Sequence, residues 1–290
     1  MKIGYPCLNS GLGCTPNRTF RLSSYSIERV KETVQQNLDC LQKTLDFNLK
    51  NGLLFFRIGS GLVPFASHPV FKFDWQNYFK KQFQDIGEYI KKNNFRISMH
   101  PDQFVVINAL DKDIVKRSIK EIDYHCQVLD LMGLCQTAKV QIHIGGVYGN
   151  KPESIKRFIQ NYKKLSKRIK KRLVIENDHL KYSLRDCLRI HQQAKIPIVF
   201  DVFHHYCLNN GESIKRALLF TSKTWTKKDG LLMVDYSSQK KDALKGSHAE
   251  SIDMKDFKNF ISKSKGINFD IMLEIKDKEK SALKAKKCIF

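Results

Sequence analysis

The sequence has no Cys-x-x-Cys pair, although eight cysteines are scattered along its 290 residues. That spacing argues against a zinc ribbon and against a disulfide scaffold, so we expect the cysteines to be reduced, small apolar side chains. No run approaches the roughly 18 apolar residues that a membrane helix needs, and the first residues contain no apolar stretch before a cleavage site. We therefore expect a soluble, intracellular protein of the cytoplasm, nucleoid or nucleus, with no membrane partner.

Acidic residues are few relative to basic ones, with 29 Asp and Glu against 51 Lys and Arg, which gives a formal net charge of +22. When lysines and arginines neutralise the phosphates of a nucleic acid, condensed counterions are released and binding is strengthened. Nucleic acid is therefore the expected partner. The alternative is that a lysine-rich coding bias places these charges on solvent-exposed helix faces without a role in binding. Net charge indicates a tendency to bind polyanions and does not specify a fold. The 42% apolar content, with 19 Phe and 10 Tyr, excludes a disordered chain.

Eight short runs rich in β-branched and aromatic residues alternate with segments of helical periodicity. The runs span 2–5, 53–58, 95–99, 139–144, 172–175, 196–200, 231–236 and 269–274. The helical segments span 27–49, 75–92, 114–132, 153–169, 184–193, 213–221, 254–263 and 278–287. The connections are too long for hairpins, which implies parallel strands joined by right-handed crossovers.

Eight such units predict an α/β fold, a single (β/α)8 TIM barrel with one domain over residues 1–290. An open, doubly wound sheet is the alternative, but no GxGxxG follows the first run. No proline- or serine-rich linker divides the chain. Segments 11–26 and 60–74 are expected to be long loops over one end of the barrel.

Polar residues stand at the end of most of the predicted strands. In order these residues are Arg57, His100, His143, Glu176, Asp201, Asp235 and Glu274. The C-terminal ends of barrel strands form the active site, so histidines and carboxylates recurring there predict a multi-metal centre. Without thiolates among them, the ligands suit Mn²⁺, Zn²⁺ or Fe²⁺. Helix capping by the acids is the competing explanation, but it does not account for the histidines.

Further candidates lie in the loops. His204 and His248 are placed to complete a metal cluster, and the loop around His68 is placed to fold over the barrel mouth. His205 is assigned a supporting role, whereas His125, His179 and His191 fall in or beside helices and are read as ordinary residues.

Gln103 and Phe104 closely follow a candidate ligand, in the segment His100-Pro-Asp-Gln-Phe. An amide and an aromatic ring there are suited to wedging into a base stack, which is easiest at a damaged pair. The alternative is that Phe104 simply packs on the end of the barrel.

These motifs together resemble the UV-damage endonuclease family. The resemblance rests on GYPCLN at 4–9, NRTFRL at 17–22, SMHPDQF at 98–104, IHIGG at 142–146, IEND at 175–178, FDVFHH at 200–205, VDYSSQ at 234–239, GSHAESID at 246–253 and MLEIKDKE at 272–279. It implies a (β/α)8 barrel related to apurinic endonucleases of the endonuclease IV type. It also implies a metal-dependent endodeoxyribonuclease that nicks double-stranded DNA immediately 5′ to UV photoproducts, both cyclobutane dimers and 6-4 photoproducts, and so starts excision repair. We expect the protein to be a monomer.

The resemblance further implies up to three divalent ions, with Mn²⁺ the usual choice. His100, His143 and Glu176 would hold one ion, Glu176, Asp201 and Glu274 a second, and His204 and His248 a third. Glu176, Glu274 and His68 are the expected catalytic residues.

On the seventh strand, the resemblance to the wider endonuclease group leads us to expect a histidine near position 235, where this chain has Asp235. An aspartate there changes the ligand from nitrogen to a charged oxygen. The residues expected to contact DNA or the lesion are Tyr5, Asn9, Arg57, Gln103 and Phe104. The alternatives are an apurinic-site endonuclease and a sugar-isomerase-like metal barrel, whose substrate needs no basic surface. A further alternative is a DNA-binding protein that keeps metals only for structure.

Overall fold

The computed structural model describes residues 1–289 and shows a closed barrel of eight parallel strands in sequence order, which confirms the predicted (β/α)8 fold. The strands are β1 (Ile3–Pro6), β2 (Phe55–Ile58), β3 (Arg96–Met99), β4 (Lys139–Ile142), β5 (Leu173–Glu176), β6 (Ile198–Asp201), β7 (Leu232–Tyr236) and β8 (Phe269–Leu273). Each pairs with its neighbours in the chain, and β8 closes the barrel by pairing Ile271 with Ile3 of β1. Every strand residue is buried, as expected for a sheet covered by helices.

The helices lie outside the barrel and alternate with the strands. They are α1 (Ile27–Asn51), α2 (Trp75–Tyr78), α3 (Lys80–Lys92), α4 (Lys112–Leu131), α5 (Lys151–Lys164), α6 (Lys167–Arg172), α7 (Leu184–Ala194), α8 (Val202–Cys207), α9 (Ile214–Ser222), α10 (Met254–Lys263) and α11 (Glu279–Ile289). Side-chain caps start several of them, with Ser26 accepting a hydrogen bond from the Arg29 amide at α1. In residues 1–289, no helix is both long enough and apolar enough to cross a bilayer.

The barrel interior is layered, and this layering positions the polar site. An apolar layer consists of Phe55, Val174, Val199, Met233 and Met272. Because strand side chains alternate, the residue two positions further along each strand faces the same interior. Those residues are Arg57, Glu176, Asp201, Asp235 and Glu274. Five of the seven predicted strand-end residues therefore form one polar layer next to the apolar layer.

Two predicted helices are each divided in the structure. Phe79, buried with a non-helical ψ of 11°, separates α2 from α3. Ser166 separates α5 from α6, because its side chain accepts a hydrogen bond from the Ile169 amide and caps the second helix. Loops 11–26 and 60–74 contain only short 3₁₀ turns at Leu22–Ser24 and Ser60–Leu62.

The prediction that all cysteines are reduced is wrong for one pair, since Cys14 and Cys40 form a disulfide. Cys14 lies in the loop that follows β1 and Cys40 lies on α1, and the loop folds back onto that helix. Spacing along the chain does not reveal such proximity, because a disulfide depends on the distance between the two residues in space. The other six cysteines are free.

Candidate metal centre and active site

The carboxylates of the polar layer and three neighbouring histidines form three overlapping groups. In each group the candidate donor atoms lie within 4.8 Å of one another. The groups are His100, His143 and Glu176; Glu176, Asp201 and His204; and Asp201, Asp235 and Glu274. Glu176 and Asp201 each belong to two groups. Carboxylates shared in this way are the arrangement that a cluster of neighbouring cations requires.

The first group is centred on the Glu176 carboxylate, at the end of β5. Its Oε1 atom lies 3.1 Å from His100 Nε2 and 2.9 Å from His143 Nδ1. Burial raises the pKa of Glu176, but the two histidines outweigh this and hold it well below its usual range. Burial lowers the pKa of His143, and Glu176 outweighs that effect and raises it to about 9. The group is thus an anionic oxygen flanked by two imidazoles.

The second group joins β6 to the short helix α8. Asp201 caps α8 by accepting a hydrogen bond from the His204 amide at 2.6 Å, and its other oxygen lies 3.3 Å from His204 Nδ1. Asn177 fixes the Asp201 backbone from both sides, donating to its carbonyl and accepting from its amide. Burial, with Glu274 and Glu176 nearby, raises the pKa of Asp201 well above its usual range. A nearby cation would relieve this accumulation of acids.

Arg57 and Gln141 form the floor of the third group. Arg57 Nη2 donates to both oxygens of Asp235, at 2.7 and 2.9 Å, and Arg57 Nη1 pairs with Glu274. Burial raises the pKa of Glu274, but Arg57 outweighs it and lowers the value to about 2. Gln141 Nε2 donates to Asp235 at 2.6 Å and also to Glu176. Gln141, which lies two residues before His143 on the same interior face, is not predicted from the sequence.

The histidines expected to bind a third ion lie side by side, with His204 and His248 ring centroids 6.1 Å apart. Each Nδ1 contacts a backbone carbonyl, that of Asn177 at 3.0 Å for His204 and that of Glu274 at 2.7 Å for His248. Metal-binding histidines commonly anchor one nitrogen this way and leave the other free. His179, which the sequence analysis read as ordinary, has its ring 5.2 Å from that of His204. No periodicity signals this contact, because His179 follows its strand in an irregular loop.

Three residues predicted to contact DNA or the lesion are buried instead. Arg57 is 2% exposed beneath the acids, where its charge is already paired. Tyr5 and Asn9 are 0% and 1% exposed, and they form a hydrogen-bonded chain in which Asn9 donates to Tyr5 and Tyr5 donates to Asn48. In this structure the three side chains are enclosed by the protein, and their contact with DNA or the lesion stays a prediction.

The remaining predicted residues lie in loops at the same end of the barrel. Phe104 is 77% exposed, and its amide donates to the Asp102 carboxylate, which orders the loop. Gln103 and Phe104 line a cavity of about 870 Å³ that reaches His143. His68 is exposed, its Nδ1 accepts from the Val70 amide, and it belongs to none of the three groups formed by residues 1–289.

The donor set fits divalent cations. It combines imidazoles with carboxylates and contains no thiolate, which suits Mn²⁺, Zn²⁺ or Fe²⁺. His100 Nδ1 is buried without a hydrogen-bond partner in residues 1–289. Arg57 supplies the fixed positive charge at the base of a layer that contains four carboxylates, Glu176, Asp201, Asp235 and Glu274. These groups can therefore hold metal ions at the mouth of the barrel.

Comparison with known proteins finds one family over nearly the whole chain. A family model described as UV-endonuclease UvdE matches residues 1–287. A UV DNA damage endonuclease of Clostridium perfringens (strain 13 / Type A) is 43% identical over 286 residues, which cover 98% of this chain and 69% of that protein. One from Bacillus thuringiensis subsp. konkukian (strain 97-27) is 35% identical over 293 residues, covering 98% of this chain and 92% of that protein.

Solved structures give a consistent result for the fold. The crystal structure of SacUVDE has a TM-score of 0.95 and 46% identity, covering 100% of this chain and 98% of that one. An L-ribulose 3-epimerase has a TM-score of 0.56 at 15% identity, covering 83% and 76% of the two chains. The epimerase shares the barrel fold and supports no inference about activity.

Proposed function

The chain belongs to the UV-endonuclease UvdE family, and from that premise we propose that it is an endonuclease that cuts DNA at UV damage. The single observation that carries the proposal is the overlap of the three acid and histidine groups at one end of the barrel. The charge of +22 supports a polyanionic substrate. The proposed partner is double-stranded DNA containing UV lesions, bound by a monomer.

The finer features of the reaction belong to the same proposal. The cut falls in the damaged strand, immediately 5′ to cyclobutane dimers and 6-4 photoproducts, and starts excision repair. The motifs that this chain shares with the family support this position, from GYPCLN at 4–9 to MLEIKDKE at 272–279.

Divalent cations, with Mn²⁺ as the first choice and up to three per chain, are the proposed cofactors. We assign His100, His143 and Glu176 to one ion, Glu176, Asp201 and Glu274 to a second, and His204 and His248 to a third. Asp235 forms a group with Asp201 and Glu274 and is a further candidate ligand for the second ion. When bound, such ions activate water and stabilise the charge that develops on a phosphodiester during hydrolysis.

The protein's own residues orient the site for this reaction. Arg57 and Gln141 hold the Asp235, Glu176 and Glu274 carboxylates at fixed positions beneath the place where the phosphate would lie. Rigid placement of such groups reduces the reorganisation that the reaction needs. His68 is a proposed phosphate contact, because its imidazole is exposed and the neighbouring Ser67 lines the cavity beside the site.

Recognition of the lesion is assigned to Gln103 and Phe104. An exposed aromatic ring on an ordered loop can enter a base stack, and the cost of unstacking is least where the pair is already damaged. Lysines and arginines would supply phosphate contacts that carry no sequence preference.

Nicking of supercoiled plasmid tests the proposal. We expect the protein with Mn²⁺ to nick UV-irradiated plasmid and to leave untreated plasmid intact, and we expect EDTA to abolish nicking. Plasmid carrying abasic sites, included in parallel, tests the apurinic-endonuclease alternative. Equal nicking of irradiated and untreated DNA, or nicking of abasic DNA alone, would contradict the proposed function.

A further inference from the structure

Tyr148 lies in a backbone conformation that tyrosine rarely adopts. Its φ angle is 46°, in the left-handed region, within the loop that joins β4 to α5. Glycine and asparagine enter this region readily, whereas a bulky side chain there is strained. Such strain persists only where surrounding contacts impose it, and it concentrates at ligand-binding positions.

The contacts that impose this conformation hold the two residues immediately before Tyr148. The Gly146 carbonyl accepts hydrogen bonds from Asn108 Nδ2 and from the Tyr182 hydroxyl, each at 2.8 Å. Ser154 Oγ donates to the carbonyl immediately before Tyr148, at 2.7 Å. The loop is therefore fixed before any ligand arrives.

The ring of Tyr148 is positioned as firmly as its backbone. The Arg157 guanidinium lies over the ring, 5.3 Å from its centroid, and its Nε donates to the Asn108 carbonyl. A Cβ at Gly146 would lie 2.7 Å from the ring, so the ring occupies space that only glycine leaves free. Tyr148 is nevertheless 42% exposed. A tyrosine that served only to fill the core would be more fully buried.

The exposed part of Tyr148 lines the cavity of about 870 Å³, together with Phe104, His143 and Lys181. That volume lies within the range of about 300–1,000 Å³ typical of small-molecule sites. A cavity lined by aromatic rings and a lysine matches a nucleotide, whose base stacks on rings and whose phosphate attracts cations. Leu180 adds an exposed apolar side chain to the same wall.

We propose that Tyr148 is a preorganised platform on which an unpaired base of the bound DNA stacks, within the cavity bordered by Phe104. The inference rests on the proposed function, since Phe104 must first displace a base from the duplex. Tyr148 is then a residue that selects damaged over intact DNA, because intact DNA presents no unpaired base.

The test compares Tyr148→Phe, Tyr148→Ala and Tyr148→Asn with wild type. The DNA is a duplex with one thymine dimer and an uncleavable methylphosphonate 5′ to it. We expect Tyr148→Ala and Tyr148→Asn to weaken binding of damaged DNA by about 5- to 160-fold, the loss of one stacked base, with undamaged DNA bound as before. Tyr148→Phe keeps the ring and should bind like wild type.

Thermal unfolding separates this role from a structural one. Asparagine tolerates the left-handed conformation, so Tyr148→Asn should unfold at or above the wild-type temperature while losing affinity for damaged DNA. Tyr78→Ala is the matched control, because Tyr78 is also exposed with a cation over its ring, that of Lys31, but lies on α2 outside the cavity. A less stable Tyr148→Asn that loses affinity for damaged and undamaged DNA equally would overturn the proposal.

A second measurement does not depend on UV damage or on nicking. An oligonucleotide with 2-aminopurine in an unpaired bubble should show fluorescence quenched by wild type and by Tyr148→Phe, but not by Tyr148→Ala. Equal quenching by all three proteins would overturn the stacking proposal even if irradiated plasmid is nicked. Conversely, selective quenching without nicking of irradiated plasmid would support the platform and refute the proposed function.

Discussion

Glu176 is the residue shared by the two groups that contain histidine, and its environment explains why a carboxylate is required there. Its Oε1 contacts two imidazoles while its Oε2 accepts from Gln141, so both oxygens are oriented by neighbours. The two histidines stabilise the charge on Glu176 and outweigh the cost of burying it, so the charged carboxylate is available to a cation. A neutral amide of the same shape would preserve the packing and remove the charge.

We therefore predict that Glu176→Gln lowers nicking of irradiated plasmid by at least about 100-fold, since even residues that only support metal ligands contribute about 10- to 100-fold. Binding of damaged duplex should change little, because phosphate and lesion contacts are made elsewhere. Glu88→Gln is the control, as Glu88 is an exposed glutamate on α3 and belongs to none of the three groups. Wild-type nicking by Glu176→Gln would remove Glu176 from the proposed metal centre.

At this scale the sequence predicts which residue types converge but not how deeply each one lies. His100, His143 and Glu176 can be identified because each ends its own strand. The burial of Arg57 depends on carboxylates from β7 and β8, far away in the chain, which pair with its guanidinium. Gln141 is missed because an amide within a strand looks like any polar residue until the acids around it are located.

The loop after β3 is the element on which lesion recognition is proposed to depend. Its hydrogen bond from the Phe104 amide to Asp102 orders the backbone while the ring remains outside the core. An aromatic residue exposed to this extent contributes little to folding stability, so its loss should affect binding alone.

Phe104→Ala should therefore weaken binding of a duplex with one thymine dimer by about 5- to 160-fold, the range for one lost stacking contact. Affinity for undamaged duplex and the unfolding temperature should stay at wild-type values, and Phe104→Tyr should behave like wild type. Leu110→Ala serves as control because Leu110 is also exposed but lies outside the cavity. Equal loss of affinity for both duplexes would indicate a general DNA contact rather than a lesion probe.

Helix α3 shows a constraint from packing that its sequence alone does not reveal. Gly87 is buried in the middle of α3, where a Cβ would lie 1.8 Å from the Met132 carbonyl oxygen at the end of α4. Glycine in a helix normally costs about 1 kcal/mol relative to alanine, so the close approach of the two helices explains why glycine is present.

We predict that Gly87→Ala lowers the free energy of unfolding by about 1–3 kcal/mol, the usual cost of overpacking, although helix propensity alone would raise it. Chemical denaturation measures the change, and Glu88→Ala on the exposed side of the same helix is the control. A more stable Gly87→Ala would mean that α3 and α4 can separate freely.

The sequence predicts all eight strands to within two residues at each end, because short β-branched runs bounded by turns are strong signals. The breaks at Phe79 and Ser166 are not predicted, since the apolar periodicity continues across both positions. At Ser166 a local side-chain cap competes with the continuing helix, and periodicity does not report such competition.

For the whole molecule, whether the charge of +22 contributes to DNA binding depends on where the basic residues lie. Loops that follow strands lie at the same end of the barrel as the polar layer, and Lys181, which follows β5, lines the cavity there. Lys92 ends α3 just before β3 begins, so it lies at the opposite end. Both side chains are exposed. Substituting each in turn therefore tests whether the basic residues near the site bind DNA or whether the charge is spread over the surface without a role in binding.

If the charge serves binding, the logarithm of the affinity for undamaged duplex should fall linearly with the logarithm of salt concentration, by about 0.9 per phosphate neutralised. Fluorescence anisotropy between 50 and 200 mM salt measures that slope. Lys181→Ala should reduce the slope by about 1 and weaken binding to every sequence alike, as loss of one phosphate contact requires. Lys92→Ala should leave both quantities unchanged, because its end of the barrel faces away from the site. A slope near zero in the wild-type protein, or equal effects of the two substitutions, would favour a coding bias as the origin of the charge and would leave DNA affinity to the loops around Phe104 and Tyr148.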